Sequence, residues 1–412
     1  MRTFTFHMIA GLLAVGLAFG GNFAQAQAGT LDTTFGTGGI VTTTIGDNLT
    51  TLTVIEQSNG DIAVVTGFNN EGNANPTGEV VALVRYTSDG TLIGTTIASF
   101  FANGISSPSA VAVQSNGDIV VAGTAQTAID APQLFGVARF KPNGQLDKTF
   151  GTDGLVTTEP LGPFPSASAV IVQPNGQILV GGFVDGTNRH TSGQTVLVRY
   201  NSNGSLDTTF GMGGIVEVVA GVGSPTALAE LSSGSYLAVG GTSSVEFSST
   251  GVLQSTVTPE KLVAATLSGA GCCAPVLFQP NGDFVFAQAV PGHGRLSTDA
   301  EVSRFSETGV EDSSFSSTPF MFGGNTQSLP QAIALQSNGQ IVVGGITNAH
   351  GTPGTGGLAR LNSNGDLDTT FASGGSLMSD QVVSGLLIQT DGKIVAIGGI
   401  DGKLVLERYL AN

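Results

Sequence analysis

One phrase returns seven times along this chain and constrains its fold more than any other feature. The phrase is a short apolar run, a polar residue that is usually Gln, a turn with a glycine, and a second apolar run. The turn glycines are Gly60, Gly117, Gly176, Gly234, Gly282, Gly339 and Gly392. Successive turn glycines are 57, 59, 58, 48, 57 and 53 residues apart. A self-similar period of this size indicates that one supersecondary unit is repeated along the chain.

Each phrase predicts a β-hairpin. In VAVQSNGDIVVAG (111–123), as in several other copies, Asn-Gly stands between two apolar runs, which is the strongest short-range hairpin signal. We expect a type I′ turn, in which both central residues take positive φ. The second run is apolar without alternation, which predicts a strand that is covered on both faces.

Two further strands complete each unit. A third strand follows a loop of variable length, as in FGVARFKPNG (135–144), and turns at another glycine into a fourth, as in LDKTFGTDGLVTT (146–158). The composition favours strands, because 61 residues are Gly, only 11% are charged, and no helical periodicity follows residue 28. Seven units of four antiparallel strands indicate an all-β fold, a seven-bladed β-propeller.

The two ends of the chain complement each other. The sequence after residue 30 opens on LDTTFGTGGIVTT, a fourth-strand phrase with no hairpin before it, and the chain closes on LVLERYL (404–410), a third strand with no fourth strand after it. A stacked solenoid, the alternative, would need polar caps at both ends. We therefore predict a ring in which the N-terminal strand, near residues 40–44, joins the last blade beside residues 404–408.

Three phrases in fixed order carry a family resemblance. They are LDTTFG-x-GG-IVTT, Q-x-[ND]-G-x-I and [AV]-R-[YF]-x-x-x-G-x-L, and they cover about residues 31–410. In these phrases the chain resembles the delta-60 repeat family of bacterial exported β-propellers. Blade four departs from the pattern at Glu246, where Arg is expected, and blade one lacks the LDTTF phrase at 92–100. The resemblance implies a fold, and it implies no common activity and no catalytic residues.

The N-terminus predicts export. Residues 1–28 combine Arg2, an uncharged apolar core at 8–20, and small-x-small cleavage sites at 24–26 and 26–28, as in a signal peptide. No Cys stands directly after the apolar core, where a lipid anchor would be attached, and no later run is long and apolar enough to span a bilayer. We expect a signal peptide (1–28) and a single propeller domain (29–412), monomeric and periplasmic, secreted or at the cell surface. The net charge of −16 argues against nucleic-acid partners.

Basic and acidic residues recur at fixed repeat positions. Six of the nine Arg share one position: Arg85, Arg139, Arg199, Arg304, Arg360 and Arg408. Five Asp share another: Asp32, Asp147, Asp207, Asp312 and Asp368. The Arg residues could ring the channel and bind an anion, or pair with the Asp residues between the third and fourth strands. Blade four lacks both partners, with Glu246 and Gln254 in their places. Because residues that act as a pair would be lost together, we favour Arg–Asp pairs over a ring of arginines. The predicted pairs are Arg139–Asp147, Arg199–Asp207, Arg304–Asp312, Arg360–Asp368 and Arg408–Asp32.

Other polar residues have a structural interpretation. Six Gln close the innermost strands and either line the channel or, as we favour, bind nearby turn backbone. They are Gln57, Gln114, Gln173, Gln279, Gln336 and Gln389. His190, His293 and His350 fall in loops of three different blades without ligand spacing, so we expect solvated side chains. No metal, cofactor or catalytic residue is predicted.

The only cysteines, Cys272 and Cys273, are adjacent and lie just before the innermost strand of blade five. A vicinal disulfide, two free thiols and intermolecular bridges are all open. A vicinal disulfide strains the peptide, because adjacent Cα atoms lie about 3.8 Å apart across a trans bond. Our hypothesis is a vicinal disulfide that forms a rigid apolar plate beside the channel mouth.

Sequence variation concentrates in the loops between second and third strands, at 68–79, 124–134, 184–194, 289–298 and 346–356. Variable loops on a rigid scaffold commonly carry binding. We expect an exported, non-catalytic binding or structural module that presents this rim to an unknown extracellular or periplasmic ligand or protein. The alternative is a propeller enzyme (hydrolase, lyase or oxidoreductase) with its site at the axial channel, which converging acids or histidines there would favour.

Overall fold

The computed structural model describes residues 27–69, 79–101, 104–128, 130–160, 162, 164–184, 194–218, 224–240, 243–257, 275–292, 297–315, 317–323, 327–347 and 355–411. In these residues the regular secondary structure consists of strands, which form seven antiparallel sheets. The prediction of an all-β, seven-bladed propeller is confirmed.

The strands follow the blades in chain order after β1 (Ile40–Thr44), which belongs to the last blade. Blade one contains β2 (Asp47–Glu56), β3 (Ile62–Asn69), β4 (Glu79–Tyr86) and β5 (Leu92–Ala98). Blade two contains β6 (Ile105–Val113), β7 (Ile119–Gln126), β8 (Gln133–Phe140) and β9 (Leu155–Thr158). Blade three contains β10 (Ser166–Val172), β11 (Ile178–Val184), β12 (Gln194–Tyr200) and β13 (Ile215–Val218).

The second half of the ring repeats this order. Blade four contains β14 (Pro225–Glu230), β15 (Tyr236–Gly240), β16 (Ser244–Phe247) and β17 (Leu253–Val257). Blade five contains β18 (Val276–Phe278), β19 (Phe284–Pro291) and β20 (Thr298–Phe305). Blade six contains β21 (Ser328–Leu335), β22 (Ile341–Thr347), β23 (Thr355–Leu361) and β24 (Ser376–Ser379). Blade seven contains β25 (Gly385–Ile388), β26 (Ile394–Ile400) and β27 (Lys403–Tyr409) together with β1.

The N-terminal strand closes the ring. β1 pairs antiparallel with β27 in a register that sets Ile40 opposite Glu407 and Thr44 opposite Lys403. The order β1-β27-β26-β25 places β1 on the outer edge of blade seven. This pairing covers an edge that would otherwise expose unpaired backbone groups. The predicted closure is confirmed.

Blade five departs from the four-strand pattern within the described residues. Where the fourth strand is expected, Phe320 exchanges two backbone hydrogen bonds with Ala300, at 2.8 and 2.9 Å, and forms an isolated bridge. The neighbouring residue, Pro319, has no N–H to continue a ladder. The outer edge of this blade is therefore held by a bridge instead of a strand.

The hairpin turns differ from the predicted type I′. In blade one the Gly60 N–H donates to the Gln57 carbonyl at 2.8 Å, and Gln57 N–H donates to the Asp61 carbonyl at 2.8 Å. Within that turn only Gly60 takes positive φ, at 84°, while Asn59 accepts from the Asp61 N–H through its side chain. This turn is longer than a two-residue type I′ turn and ends on a glycine with positive φ. Asn59 does not need positive φ, because its side chain accepts a backbone hydrogen bond within the turn.

The apolar core lies between the blades. Between blades two and three, for example, Val120 and Ala122 pack with Ile178 and Val180. Each of the seven junctions has such a cluster, and the second strands contribute to both neighbours, as their predicted coverage on both faces requires. Among the described residues the smallest cluster lies between blades four and five and is rich in Phe.

The up-and-down strand order gives the ring two different faces. First strands begin, and second strands end, on one face, which we call the loop face because the chain leaves the second strands toward the third strands there. First strands end, and third strands turn into fourth strands, on the opposite face, which we call the turn face. In blade two Ile105 and Gln126 pair at the loop face, whereas Val113 and Ile119 pair at the turn face.

Candidate functional site

First strands of all seven blades converge on an axial cavity of about 800 Å³ that opens at the loop face. We call this cavity the axial funnel. Its lining carries hydroxyl and amide groups from Thr50, Thr53, Ser109, Ser166, Ser168, Ser224, Thr226, Gln331 and Ser384. Apolar surface comes from Leu49, Val54, Phe183, Pro275 and Leu386, among others. The described lining contains no Asp, Glu, His, Lys or Arg, so its polar groups are neutral hydrogen-bond donors and acceptors.

Four lining residues lie at β-bulges that occupy the same position of the repeat in four different blades. The ladder between first and second strands skips one residue in blades two, three, four and six. The skipped residues are Ser109, Ser168, Thr226 and Gln331. A bulge leaves its extra residue unpaired and changes the direction of its side chain. Because all four line the funnel, this bulge supplies four of the nine polar side chains named above.

Sequence reasoning missed these bulges, although a signal was present. Each bulged residue precedes an Ala and follows a Pro or Ala, as in Pro108-Ser109-Ala110 and Pro330-Gln331-Ala332. Pro cannot donate to a ladder and is found at bulges within sheets. The recurrence of Pro-x-Ala before the hairpin phrase could have predicted the bulged position.

Some hydroxyl groups near the funnel also connect neighbouring blades. Ser168 Oγ donates to the Pro225 carbonyl of the next blade at 2.6 Å. Glu79 accepts from the hydroxyls of Thr50 and Ser107, which lie in blades one and two. These bonds link strands of neighbouring blades beside the funnel.

The structure brings together all five predicted Arg–Asp pairs. The distances are 2.6 Å from Arg139 Nη2 to Asp147 Oδ2, 2.8 Å from Arg199 Nε to Asp207 Oδ2, 2.6 Å from Arg304 Nη2 to Asp312 Oδ2, 2.7 Å from Arg360 Nε to Asp368 Oδ2, and 2.9 Å from Arg408 Nη2 to Asp32 Oδ2. None of these ten residues lines the funnel. The arginines therefore do not form a ring of cations in the described funnel.

Each of these arginines also reaches the next blade. Arg199 Nη1 donates to the Ser249 carbonyl of blade four at 2.6 Å, and Arg304 Nη1 donates to the Ser363 carbonyl of blade six at 3.1 Å. The Nη1 atoms of the other arginines, including Arg85, donate to equivalent backbone carbonyls. These donor–acceptor pairs are Arg85–Asn143, Arg139–Ser202, Arg360–Ala411 and Arg408–Ser88. We call this arrangement, an Arg bound to a carboxylate of its own blade and to a turn carbonyl of the next, the arginine clamp.

A phenylalanine completes five of the clamps. The guanidinium of Arg199 lies 4.4 Å from the centre of the Phe210 ring, and Arg139, Arg304, Arg360 and Arg408 lie 4.5–4.8 Å from equivalent rings. Such contacts stabilise a cation over an aromatic face. The Phe is the last residue of the LDTTF phrase, three positions after the paired Asp. Sequence reasoning used the phrase as a repeat marker and missed this contact.

The clamp carboxylates are held ionised. Burial alone would raise the pKa of Asp32, but hydrogen bonds from Thr34 and the charge of Arg408 outweigh it and lower the pKa to about 2. For Asp312, hydrogen bonds from Ser314 and Arg304 lower the pKa to about 2. The equivalent carboxyls are Asp147, Asp207 and Asp368. Burial would raise their pKa values, but hydrogen bonds from a neighbouring Thr and from the paired Arg, together with the Arg charge, lower them.

Blades one and four show how the clamp changes when a partner is missing. Arg85 has no LDTTF carboxylate and instead lies 3.3 Å from Asp61, in the hairpin turn of its own blade. Blade four has Glu246 at the Arg position, which accepts hydrogen bonds from Ser235 at 2.6 Å and Ser255 at 3.3 Å. Both donors belong to blade four. Among the described residues, the junction of blades four and five is therefore the one without an arginine clamp.

The repeated Gln residues sit on the turn face. Gln57 donates to the Pro142 carbonyl at 2.8 Å, and Gln336 donates to the Gly392 carbonyl at 3.3 Å, so both bind turn backbone of the next blade. Gln173 instead donates to the Tyr236 hydroxyl at 2.6 Å. Gln114 and Gln389 accept from the clamp arginines of their own blades.

Several predicted positions lie outside the described residues. They are Cys272, Cys273, His190, His293, His350 and most of the variable loops. Pro275, two residues after Cys273, lines the funnel. Within the described part of the chain there is no cluster of three or more His, Cys, Asp and Glu that could hold a metal ion. No helix there is long and apolar enough to cross a membrane.

Family comparison agrees with the repeat architecture. Residues 114–150, 173–210 and 336–371 match a model described as a domain of unknown function (DUF5122) beta-propeller. Each matched segment runs from the repeat Gln to the LDTTF Phe, with both ends included. The chain is thus a β-propeller by fold and by this partial family match. No curated protein matched the sequence.

Solved structures offer distant likenesses. A protein of unknown function from Dyadobacter fermentans is 12% identical with a TM-score of 0.47, and covers 91% of this chain and 100% of its own. The Pan2 WD40 domain of Neurospora crassa is 9% identical with a TM-score of 0.47, at 93% and 98% coverage. An alpha-L-arabinanase of Penicillium chrysogenum is 12% identical with a TM-score of 0.45, at 89% and 94% coverage. These values carry no information about ligand or activity.

Proposed function

We propose that this protein is an exported, non-catalytic binding module whose axial funnel and surrounding loop face take an uncharged, hydroxyl-bearing ligand such as a neutral oligosaccharide. The observation that carries the proposal is the set of bulged polar residues in the funnel, Ser109, Ser168, Thr226 and Gln331. Export rests on the predicted signal peptide, and the propeller domain is taken as 29–412 and monomeric.

The chemistry of the lining supports a neutral ligand. Hydroxyls and amides both donate and accept hydrogen bonds, which matches the hydroxyl groups of a sugar. Side chains such as Phe183 and Leu386 add apolar surface against which C–H faces can pack. A volume of about 800 Å³ lies in the range of ordinary small-ligand sites.

The placement of the funnel supports a role for the variable loops. The loops between second and third strands lie on the same face as the funnel mouth, because second strands end there. A ligand too large for the funnel would extend toward these loops. The hypothesis that Cys272 and Cys273 form an apolar plate at the mouth belongs to this proposal.

Binding of defined ligands to the mature protein tests the proposal. Neutral and anionic oligosaccharides of matched length would be screened by thermal shift, and hits measured by calorimetry. Gln331→Ala should weaken binding of a neutral ligand about tenfold or more, because it removes an exposed bulged amide from the funnel. The matched control Gln145→Ala, an exposed Gln on the turn face, should leave binding unchanged.

Three outcomes would contradict the proposal. Exclusive binding of anionic ligands would overturn the neutral class. Equal loss in Gln331→Ala and Gln145→Ala would place the site elsewhere. Conversion of a bound ligand into product, followed by mass spectrometry, would establish the enzyme alternative.

A further inference from the structure

The sequence offers two overlapping sites for removal of the leader. Ala24-Gln25-Ala26 places the cut before Gln27, and Ala26-Gln27-Ala28 places it before Gly29. Both satisfy the small-x-small requirement, and the patterns overlap at Ala26. The contacts of Gln27 and Ala28 distinguish them.

Ala28 is an integral part of the junction between blades six and seven. Its carbonyl accepts a hydrogen bond from the Ala372 N–H at 2.8 Å. Its side chain is 7% exposed and belongs to a buried cluster with Phe371 and Val383. Gln27 adds a side-chain hydrogen bond to the Ala372 carbonyl, and its own carbonyl accepts from Thr30 Oγ1 at 2.7 Å.

The same backbone bond recurs at other junctions. The residue after the LDTTF Phe donates its N–H to the third-to-fourth-strand turn of the next blade, as Gly151 does to Asn203 at 2.8 Å and Gly211 does to Thr250 at 2.9 Å. In blades three and four that turn is continuous chain. In blade seven it is assembled from the two ends of the protein, where Gly29 N–H donates to the Leu410 carbonyl at 2.8 Å.

We infer that the leader is cut between Ala26 and Gln27, so that the mature protein begins at Gln27. This cut retains the Ala28 carbonyl and methyl group that complete the blade-seven turn. A cut before Gly29 would remove both, together with the Gln27 contacts, and leave Ala372 without its inter-blade acceptor. The inference rests on the proposed export and refines the boundary of the leader from 28 to 26.

The intact mass of the exported protein tests the cut. The full precursor would be expressed in an exporting bacterial host and the product weighed. The expected mass is that of residues 27–412, with or without loss of one ammonia by cyclisation of the N-terminal Gln. A mass that begins at Gly29 overturns the inference. A protein that retains residues 1–26 overturns export as well, so the two failures are distinguishable.

A matched pair of variants tests the structural reason. Ala24→Leu disables only the first site, leaves residues 27–412 unaltered in sequence, and should shift the start to Gly29. The same two chains, 27–412 and 29–412, can also be made directly without a leader. We expect the shorter chain to have a Tm lower by about 2–4 °C, since it lacks the Ala28 and Gln27 contacts. Equal Tm values would overturn the structural argument.

Discussion

Two neighbouring junctions of the ring differ in the side chain that stands at the clamp position. One lies between blades three and four, and the other lies between blades four and five. In the first, Arg199 binds Asp207, covers Phe210 and reaches the Ser249 carbonyl of the next blade. In the second, Glu246 accepts hydrogen bonds from hydroxyls of its own blade, and among the described residues no hydrogen bond at that position reaches blade five. At the same repeat position, one junction thus has an Arg that binds the next blade, and the neighbouring junction has a Glu that binds its own blade.

The apolar cluster at the second junction is richer in phenylalanine than the cluster at the first. Phe284 and Phe305, both of blade five, stack with ring centres 5.3 Å apart, and Leu237 and Val239 of blade four belong to the same cluster. Aromatic pairs of this kind contribute about 0.5–1.5 kcal/mol beyond their burial. The comparison teaches that the clamp is added to an apolar cluster that every junction has, and that it is confined to the turn face, away from the funnel.

Opening the ring at a clamped junction should have the largest effect. Deletion of residues 31–45 removes β1, Asp32 and Phe35, which leaves Arg408 without its carboxylate and β27 with a bare edge. We expect loss of the cooperative unfolding transition of the whole ring, measured by calorimetry. A deleted protein with a sharp transition near the wild-type Tm would show that closure is dispensable.

Arg199→Gln should destabilise the junction of blades three and four by about 3–5 kcal/mol, because it leaves the buried Asp207 without its cation. The free energy of unfolding from urea titration measures the change. Gln is chosen because Glu246→Gln places the same side chain at the equivalent position of the next blade, so that the two variants can be compared directly. A loss below about 1 kcal/mol would mean that the clamp contributes no more than an exposed ion pair.

The clamps predict a stability that falls in acid. Asp32 and Asp312 have pKa values of about 2, below the usual value of about 3.9 for an unfolded chain. Their contribution is complete above pH about 4 and is lost as the pH falls through about 2, since the unfolded state takes up protons first. Urea midpoints should rise from pH 2 to pH 4, and Asp312→Asn should reduce that slope. A flat profile in both proteins would contradict the linkage.

Glu246→Gln should have the smallest effect, within about 1 kcal/mol. Gln keeps an oxygen that can accept from Ser235, and both described donors to Glu246, Ser235 and Ser255, belong to its own blade. The comparison is direct, because Arg199→Gln and Glu246→Gln place the same side chain at the same repeat position of adjacent blades. Equal destabilisation by the two changes would remove the distinction between the junctions.

Much of the fold could be predicted from local patterns. Asn-Gly between apolar runs predicted the hairpins, and the unmatched fourth strand at the N-terminus predicted the pairing of Ile40–Thr44 with the last blade. The turn type was wrong, because Asn59 caps the turn with its side chain and leaves positive φ to Gly60. The fourth strand of blade five was also predicted, and the described residues contain a bridge there.

The candidate site was less accessible to sequence reasoning. Ser168 and Gln331 look like ordinary strand residues, and only the ladder register reveals the bulge that places them in the funnel. The substitute partner of Arg85 was likewise hidden, because Asp61 belongs to the turn phrase instead of the LDTTF phrase.

The sequence by itself determined the number of blades, their strand order, the closure of the ring and the identity of the Arg–Asp partners, because these follow from periodicity and from residues that recur in register. Tertiary structure alone decided which carbonyl of the next blade each arginine reaches and which polar side chains converge on the axis. Those contacts join residues about 50 positions apart or more, as in Arg199 with Ser249. Their geometry depends on how twisted blades pack around a common centre, which no single repeat specifies.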